Sequence, residues 1–528
     1  MSGLARAATT VSLAFVASRA LGVLREVIIA QQFGTSPELD AYRAAFVIPD
    51  TIYLLIAGGA LASAFIPTFA GFLARADEAG GRAPTPNHPE RVEGSAWGSG
   101  ERLASTIINS VFLFLASISL VVALLAPWLV TNVLVPDFSP EQQALTTMLL
   151  RIMLISTTIF GVSGIAMSIL NARQHFLLPA LAPIVYNLAI IAGALLLGPR
   201  IGVMGLTVGI VVGALAHLLV QVPALVRFGF HWQPALALGN AHVREVARLM
   251  GPRVFGLAIT QLNFFINARL ASGLAAGSLA ALYYAWTIML LPEGVVAQAL
   301  ATAIFPTFAA QSARGELAQM RATFATAMRS LLFLILPATV GLFVARAPII
   351  SVLLQRGRFD ATSTELTAFA LQFYALGLVA HSALEIITRA FYALHDTRTP
   401  VAVGAAAMAL NVVLSLLLIQ RLSFGGLALA NTVATTLEVS SLFLLLRRRM
   451  GGVNGSMLAP AAARMTLAAL LMGVCLYAFL SLAGGLSIWL VAAGALAVGA
   501  VSYFGASWLA GVPEVARVPQ FLLGRAKV

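Results

Sequence analysis

Two arginines and a glutamate lie inside the first long apolar segment of the chain, where charged side chains are costly. They are Arg19, Arg25 and Glu26. An arginine at the centre of a membrane-spanning helix costs about 2.5 to 3.5 kcal/mol on insertion scales, which indicates a functional role. Ser18, Gly22 and Arg25 occupy positions i, i+4 and i+7, so a hydroxyl, a gap and a guanidinium share one helical face. The pattern predicts a helix that presents positive charge to an interior cavity and binds an anionic ligand there.

A purely structural role for these charges stays open at the level of the sequence. Arg25 could pair with the adjacent Glu26 or with a backbone carbonyl. Arg253 lies within the seventh apolar segment, beside Pro252, where a cavity role and a structural role are equally compatible with its position. For Arg389, an interhelical hydrogen bond and a site role are both open. Three further arginines are interpreted as side chains that reach the nearer membrane interface: Arg151, Arg269 and Arg329.

The composition is that of a membrane protein with many helical spans. Of the 528 residues, 60% are hydrophobic and only 10% are charged, whereas a soluble protein carries about 25% charged residues. The net charge is +12, but the basic residues are scattered through short connections, so they favour membrane orientation over nucleic-acid binding. Cys475 is the only cysteine, which excludes a disulfide framework and a cysteine-based metal site.

The hydropathy pattern predicts an all-α polytopic membrane protein with about 14 transmembrane helices, each needing about 20 apolar residues. We expect two pseudo-twofold-related six-helix lobes, residues 1–230 and 231–450, and two extra C-terminal helices with a cytoplasmic tail in 451–528. The stretch 72–102 is rich in Gly, Pro and charge and is predicted to be a mobile loop. The apolar runs lie at 7–33, 43–71, 103–126, 142–170, 179–198, 201–222, 242–272, 278–311, 319–345, 364–392, 399–419, 424–446, 460–483 and 487–510.

The distribution of Lys and Arg predicts that both termini lie in the cytoplasm. With the N-terminus inside, 19 of these residues fall in cytoplasmic connections and six in outer connections, with Arg43 among the six. Cytoplasmic connections of membrane proteins carry the excess of positive charge. An even number of spans agrees with this orientation.

An internal repeat relates the two halves of the chain. The segment Ala60–Phe69 recurs as Ala299–Phe308, with seven of ten positions identical at an offset of 239 residues. A weaker echo relates Ala172–Pro179 to Ala393–Pro400. Repeats of this kind mark transporter lobes that hold the substrate site between them. With six spans in each lobe, both lobes have the same orientation, so the pseudo-twofold axis is predicted to run along the membrane normal.

The chain lacks the motifs of common catalytic and nucleotide sites. There is no glycine-rich phosphate loop, no HExxH motif and no cluster of Cys or His with metal-ligand spacing. The sequence therefore disfavours an enzyme and predicts no cofactor. Active transport without a nucleotide site would draw on an ion gradient or on the membrane potential.

Several stretches together resemble one family, the MurJ (MviN) lipid II flippases of the multidrug/oligosaccharidyl-lipid/polysaccharide exporter superfamily. The similarity covers roughly residues 5–510, and that family has fourteen spans. Each motif is weak when taken singly, but their order and spacing are specific. The stretches are Ser18–Gly22 with Arg25-Glu26, Ala64–Pro67, Ser168–Ala172, Pro179–Pro183 with Asn187, Met250–Pro252, Tyr283–Ala285, Gln355–Gly357 with Phe359, and Arg389–Ala393 with Asp396-Thr397 and Pro400.

The resemblance implies export of lipid II, the undecaprenyl-diphosphate-linked peptidoglycan precursor, from the inner to the outer leaflet of a bacterial inner membrane. Family members build a cationic cavity between two six-helix lobes, and their last two helices form a groove thought to take the lipid tail. A diphosphate head group suits guanidinium forks, and rocking of the lobes would give alternating access. The implied partners are lipid II or a similar polyprenyl-diphosphate lipid and membrane lipids, with no nucleic acid, and the chain is expected to be a monomer. The cavity residues expected are Ser18, Arg19, Arg25, Glu26, Asp50, Tyr53 and Arg253.

The chain departs from the family pattern at two expected cavity arginines. Tyr53 and Gly58 stand where many members have an arginine and a glutamate, and Trp286-Thr287 stands where many have Asp-Arg. We hypothesise that Arg253 compensates for the missing charge. The departures are also compatible with a divergent subgroup or with a different polyprenyl-diphosphate cargo.

A sodium site is a further expectation from the family, because some members bind sodium between spans 7, 11 and 12. Asn411 and Ser415 are four residues apart in span 11, and Asn431 lies in span 12, so oxygen ligands are present. Ser415 stands where a carboxylate would be preferred, and an asparagine that serves helix packing is the alternative. Coupling to Na⁺ or to the membrane potential both stay open.

Functions other than lipid II export differ in the sequence features that they require. The alternatives within transport are a flippase for another polyprenyl-diphosphate-linked glycan and a drug or ion antiporter of the same superfamily. An antiporter for cationic drugs would need acidic groups in its cavity, whereas Arg19, Arg25 and Arg253 make this cavity positive. A scaffold for cell-wall machinery would need soluble partner domains, and a membrane glycosyltransferase would need a sizeable outer loop. The sequence shows neither feature.

Overall fold

The computed structural model describes residues 3–56, 65–66, 69–71, 96–236, 244, 248 and 261–517. Within these residues the chain is helical and contains no β-strand. Eleven helices of the described part are long and apolar enough to cross a membrane. The predicted all-α multi-pass fold is therefore confirmed, while the number of fourteen spans stays a prediction.

The chain folds as two compact units, residues 1–276 and 277–528. The predicted lobe boundaries at 230 and 450 stay a prediction. Arg253 and the predicted loop 72–102, apart from its last residues 96–102, lie outside the described residues. The long helices of the first unit are α1 (Gly3–Phe33), α2 (Pro37–Ile56), α3 (Ala96–Leu129), α4 (Pro140–Ala172), α5 (Leu177–Ala192) and α6 (Val203–Leu219).

Local sequence signals set the ends of these helices. Ser139 begins α4 with a capping box, in which its hydroxyl accepts a hydrogen bond from the Gln142 backbone and the Gln142 side chain accepts one from the Ser139 backbone. Pro140 follows at the first helical position, where a missing N–H costs nothing. Helix α2 packs on α4, and α5 packs on both α1 and α6. This packing brings α1, α2 and α5 into the polar network described below.

The long helices of the second unit are α7 (Ser278–Pro292), α8 (Ala299–Ala313), α9 (Leu317–Val344), α10 (Ala361–Ala393), α11 (Arg398–Leu422), α12 (Phe424–Arg449), α13 (Gly455–Leu482) and α14 (Ile488–Leu509). Helix α10 is the most buried span in this unit, and it packs against α7, α8, α9 and α12. A π-helical segment, Glu293–Gln298, joins α7 to α8 without a break.

Three helices of the first unit have counterparts in the second unit that begin at one constant spacing along the chain. Helices α4 and α10 both have 33 residues, and they begin 221 residues apart, at Pro140 and Ala361. The pairs α5 and α11 and α6 and α12 begin at the same spacing. Backbone details follow it too, because Gln174 and His395 have φ of 57° and 58° in the turns after α4 and α10. The weaker of the two sequence echoes is therefore part of a repeat that extends over three helices.

Two arginines interpreted as interface-seeking side chains make specific contacts in the first unit. The exposed Arg151 donates from Nε to the carbonyl of Ala123 at 2.9 Å. Arg269 pairs with the exposed Asp137 at 2.8 Å. Neither arginine is buried, which agrees with a position that reaches polar surroundings.

The last two helices pack on α9 through a buried polar seam. The Tyr503 hydroxyl donates to the Phe333 carbonyl at 2.7 Å. Arg329 forms an ion pair with Glu514 at 2.7 Å, and their side chains are only 15% and 9% exposed. Arg329 thus has a specific partner beyond the last span, and the interpretation that its side chain reaches the nearer interface stays a prediction. The apolar part of this seam comprises residues such as Met465, Ala468 and Met472 of α13.

We expect Glu514→Gln to destabilise the packing of α14 strongly. Removing one partner of a buried ion pair leaves the other charge uncompensated, at a cost of about 3 to 5 kcal/mol. Thermal unfolding of the purified protein should show a clearly lower Tm. Glu316→Gln is the matched control, because its pair with Arg314 is more exposed, at 32% and 64%, and is therefore worth less. Equal Tm values for both variants would contradict the prediction.

Asp396, in the connection between α10 and α11, ties two helix ends together. Its Oδ1 accepts hydrogen bonds from the backbone of Thr399 at 3.0 Å, and its Oδ2 pairs with Arg449 at the end of α12 at 2.8 Å. Burial opposes ionisation, but the hydrogen bonds from Thr399 and the charge of Arg449 outweigh it and lower the pKa of Asp396.

Acidification should therefore weaken the fold through Asp396. A carboxyl whose pKa is lower in the folded state than in the unfolded chain stabilises the fold above its ordinary pKa of about 3.9, and this contribution is lost as the pH falls through the folded value. We expect Asp396→Asn to lower the Tm at neutral pH and to flatten its fall in acid. Asp137→Asn is the control, since that carboxylate is half exposed. Parallel acid profiles for wild type and Asp396→Asn would overturn the prediction.

Candidate functional site

Glu26 of α1 is the centre of a charge network in the first unit. The residue is 5% exposed, and each of its carboxylate oxygens accepts from a different guanidinium. Arg25 Nη2 donates to Oε1 at 2.8 Å, and Arg43 Nη2 donates to Oε2 at 2.5 Å. Two guanidiniums therefore share the single carboxylate of Glu26.

Arg43 is a site residue that the sequence did not reveal. The distribution of basic residues predicts that Arg43 lies in an outer connection. In the structure it lies in α2, and its side chain is only 6% exposed. Arg25, by contrast, remains 22% exposed. Because Arg43 neutralises Glu26 from the buried side, Arg25 keeps its positive charge on the accessible side. The signal in the sequence was the i, i+3 placement of Arg43 after Asp40, which indicates a helix rather than a loop.

A third helix fixes the orientation of Arg25. Its Nη1 donates to Oδ1 of Asn187 in α5 at 3.0 Å, and the amide of Asn187 donates to the carbonyl of Pro183 at 3.0 Å. Asn187 is itself 7% exposed. The planar guanidinium is therefore held by contacts to two helices, as a preorganised anion-binding group requires.

The two other first-helix candidates lie about two turns before this network. Arg19 is exposed, and its guanidinium lies 5.2 Å from the centroid of the Phe15 ring. Ser18 is partly buried. Six residues separate Arg19 from Arg25, or about 9 Å along a helix. The first helix thus carries a second positive charge near the network.

Asp50 and Tyr53 occupy adjacent turns of α2 and contact other parts of the first unit. Gln261 Nε2 donates to Asp50 Oδ2 at 3.4 Å. The ring of Tyr53 lies 5.1 Å from that of Phe160 in α4, and Phe160 meets Tyr186 of α5 at 4.9 Å. Tyr53, which stands at the position of one expected cavity arginine, is therefore part of an aromatic cluster with Phe160 and Tyr186.

Tyr186 joins the two groups of candidate residues. It adjoins Asn187 in the chain, and it lies within electrostatic range of Arg25, Asp50 and Tyr53. Four of the sequence-predicted residues, Arg25, Glu26, Asp50 and Tyr53, are therefore close together in the structure. Arg19 and Ser18 lie on the same helix further toward its N-terminus, and Arg253 lies outside the described residues.

A buried cluster of polar residues packs against Phe160, a member of the aromatic cluster. His217 of α6 packs edge-on against Phe160 at 5.3 Å and hydrogen-bonds the Ser163 hydroxyl at 2.7 Å. Gln221 donates to Ser163 Oγ at 2.8 Å. The sequence does not predict this cluster, because Ser163 lies 54 residues from His217 and 58 residues from Gln221 in the chain.

The candidate sodium ligands lie in the second unit. Asn411 and Ser415 are buried on α11, and the Ser415 hydroxyl donates to Asn411 Oδ1 at 3.4 Å. Asn431 of α12 is hydrogen-bonded to His381 of α10 at 3.0 Å. Within the described residues no group of three His, Cys, Asp or Glu could hold a metal ion. The sodium site stays a prediction.

Comparison with known proteins gives consistent matches over most of the chain. The family model described as "Lipid II flippase MurJ" matches residues 29–493. A relative from Rhizobium tropici, named "Probable lipid II flippase MurJ", is 31% identical over 447 residues, which is 83% of this chain and 80% of the relative. A "Lipid II flippase MurJ" from Burkholderia cenocepacia is 29% identical over 451 residues and covers 84% of each chain.

Solved structures share the fold. The structure titled "Lipid II flippase MurJ, inward closed conformation" has a TM-score of 0.78 and 24% identity, and covers 94% of this chain and 98% of that one. An inward-facing multidrug resistance transporter of the MATE family in the MOP superfamily has a TM-score of 0.64 with 14% identity and covers 82% of this chain and 94% of that one. At these identities the likeness concerns the fold alone.

Proposed function

The chain belongs to the MurJ family of lipid II flippases, and on that premise we propose that it moves lipid II from the inner to the outer leaflet of the bacterial inner membrane. It is a multi-pass membrane protein, and its relatives are named as flippases, which are transporters rather than enzymes. The substrate is a lipid whose head group begins with a diphosphate.

The observation that supports this proposal most directly is the geometry around Arg25. Its guanidinium is held by Glu26 and Asn187, while Arg43 offsets the charge of Glu26. Arg19 and Arg25 provide two guanidiniums on one helix, which complement the two negative charges of a diphosphate diester. Charge-assisted hydrogen bonds to phosphate are about twice as strong as neutral ones, so this arrangement favours the diphosphate over neutral lipids.

The remaining candidates fit the parts of the head group beyond the diphosphate. The Tyr53 hydroxyl and the Asp50 carboxyl offer a donor and an acceptor for sugar and peptide groups. In this proposal Tyr53 recognises a neutral group where other members place an arginine. The hypothesis that Arg253 compensates for the missing arginines stays a prediction, because Arg253 lies outside the described residues.

The proposed transport cycle is alternating access through a cationic cavity. Its support is the helical repeat of 221 residues, since transporters built from repeats move one repeat against the other. Both termini are proposed to be cytoplasmic, with the chain acting as a monomer. Either the membrane potential or a sodium gradient drives the cycle.

A cell-based assay tests the proposed function. Cells whose own lipid II flippase can be shut off would express this chain, and an external probe would cleave only lipid II exposed on the outer leaflet. We expect cleaved head group to be released with this chain and not with an empty vector. No release by well-inserted protein would contradict lipid II as cargo and point to another polyprenyl-diphosphate-linked glycan.

A further inference from the structure

A glutamate lies in the middle of a membrane span in the second unit. Glu293 is the first residue of the π-helical segment between α7 and α8, in a continuous span of 36 residues, Ser278–Ala313. Fifteen helical steps place it about 22 Å from the start of the span, close to its midpoint. Single π-helical turns inside longer helices occur frequently at functional sites.

The carboxyl of Glu293 is buried and incompletely satisfied. The residue is 6% exposed, and its Oε2 is buried without a hydrogen-bond partner. An ionised carboxylate in such surroundings loses its hydration without any compensation, and this cost favours the neutral acid. A neutral carboxylic acid at the centre of a membrane span carries a proton that it can exchange.

The neighbouring helix supplies a second carboxylate whose charge is already compensated. Helix α10 packs against the π-helical segment, and the charge of Glu385 on α10 acts on Glu293. Glu385 is paired with Arg389 one turn further on, and Arg389 Nη1 also donates to the Glu385 carbonyl at 2.9 Å. Within the described part of the second unit, the hydrogen bonds of Arg389 go to Glu385 on its own helix, and the group contains two acids and one base.

No other described cation on the elements packed against this segment is available to Glu293. Helix α8 carries no charged residue, and α7 contributes only the tyrosines at 283 and 284. The arginines of α9 are engaged elsewhere, since Arg321 donates to the Gly451 carbonyl and Arg329 pairs with Glu514. The other titratable residues of α10 are Glu365 near its exposed start, Tyr374, His381, which bonds Asn431, and Tyr392.

We propose that Glu293 is an exchangeable proton site governed by the Glu385–Arg389 ion pair. While Arg389 holds Glu385, Glu293 keeps its proton. When Arg389 turns to Glu293, the proton leaves to water and Glu293 becomes a carboxylate paired with the guanidinium. Glu385 and Arg389 are each 26% exposed, so this pair is not sealed inside the protein.

The geometry favours a proton over a metal ion. A hard cation needs several oxygen ligands, whereas Glu293 offers one unpartnered oxygen and the described residues contain no cluster of three acidic or histidine side chains. Coupling-ion sites of repeat-built transporters lie at irregular points near the middle of spans, and Glu293 lies near the midpoint of its own span at a π-helical segment. The statement that this proton is exchanged during lipid transport rests on the proposed function.

Infrared spectroscopy of the purified full-length protein in lipid nanodiscs tests the proton site directly. We expect wild type to show a protonated-carboxyl C=O band at neutral pH that is lost in Glu293→Gln and kept in Glu365→Gln, the same change at an exposed position of α10. Arg389→Gln should extend the band to higher pH, because the Glu385 charge is then uncompensated. Glu385→Gln should remove the band at neutral pH, because Arg389 is then free to pair with Glu293.

Two infrared results would overturn the proposal. One is an unchanged band in folded Glu293→Gln protein, and the other is loss of the band on adding Na⁺ at constant pH, which would indicate a metal site. In the flippase assay, release by wild type should depend on external pH and release by Glu293→Gln should not; the same pH dependence in both would also contradict the proposal. A wild type that moves no lipid II would contradict the proposed function, and the infrared result would still decide the proton site.

Discussion

Arg25→Ala should abolish most of the release of externally cleaved lipid II head group. The substitution removes the guanidinium that is held by Glu26 and Asn187 with part of its surface accessible. A hydrogen bond to a charged group is worth about 1.5 to 3 kcal/mol, so losing one or two of them should lower the rate about tenfold or more.

The matched control for this variant is Arg151→Ala. Arg151 is also an arginine within a span of the first unit, but it is exposed and donates to a backbone carbonyl of α3. We expect it to retain release close to that of wild type at equal expression. Arg25→Lys keeps the positive charge but replaces the planar guanidinium by an ammonium group, which cannot bind a phosphate through two parallel hydrogen bonds. We expect this variant to release an intermediate amount of head group.

Wild-type release by Arg25→Ala would remove the main support for the cationic site. The diphosphate would then have to be recognised elsewhere, and Arg19 and Arg253 would be the next residues to replace. If Arg25→Ala and Arg151→Ala lost release equally, the effect would reflect charge in the membrane in general rather than this site.

Arg43→Met should impair transport almost as strongly as Arg25→Ala, although Arg43 is buried away from any ligand. Without Arg43, Glu26 is left with Arg25 as its only described guanidinium partner, and the network loses one positive charge. Removing one partner of a buried ion pair costs about 3 to 5 kcal/mol. We therefore expect both a lower Tm and a loss of release.

The double variant Arg43→Met with Glu26→Gln separates charge from packing. It removes both members of the buried pair, which is often close to neutral for stability, and it leaves the net charge around Arg25 as it is in wild type. We expect release and Tm to recover substantially relative to Arg43→Met alone. A double variant as inactive as Arg43→Met would show that Arg43 binds the ligand itself rather than positioning and balancing Arg25.

The fold class followed from local properties of the sequence. Apolar run length and low charge predicted a helical multi-pass protein because a helix satisfies its own backbone hydrogen bonds within lipid. The weaker sequence echo, between Ala172–Pro179 and Ala393–Pro400, has the same offset of 221 residues as the starts of α4 and α10. The chain between residues 236 and 261 is described only at residues 244 and 248, so the contribution of Arg253 stays a prediction.

The candidate site was only half visible in the sequence. Arg19 and Arg25 were conspicuous because charge is rare in an apolar run. Arg43 was assigned to an outer connection because it lies near the start of an apolar run, where an arginine normally meets water. Its burial becomes possible only when α2 brings it against Glu26, 17 residues earlier in the chain.

The sequence by itself determined that this is a helical membrane protein of two related halves, with positive charge in its first span, because hydropathy, helical periodicity and repetition are properties of neighbouring residues. Only the tertiary structure decided how that charge is used. Arg25 is oriented by Asn187, 162 residues away, and balanced through Arg43 on another helix. Electrostatic partners of this kind depend on which helices pack together, and packing is set by contacts that no single segment of sequence contains.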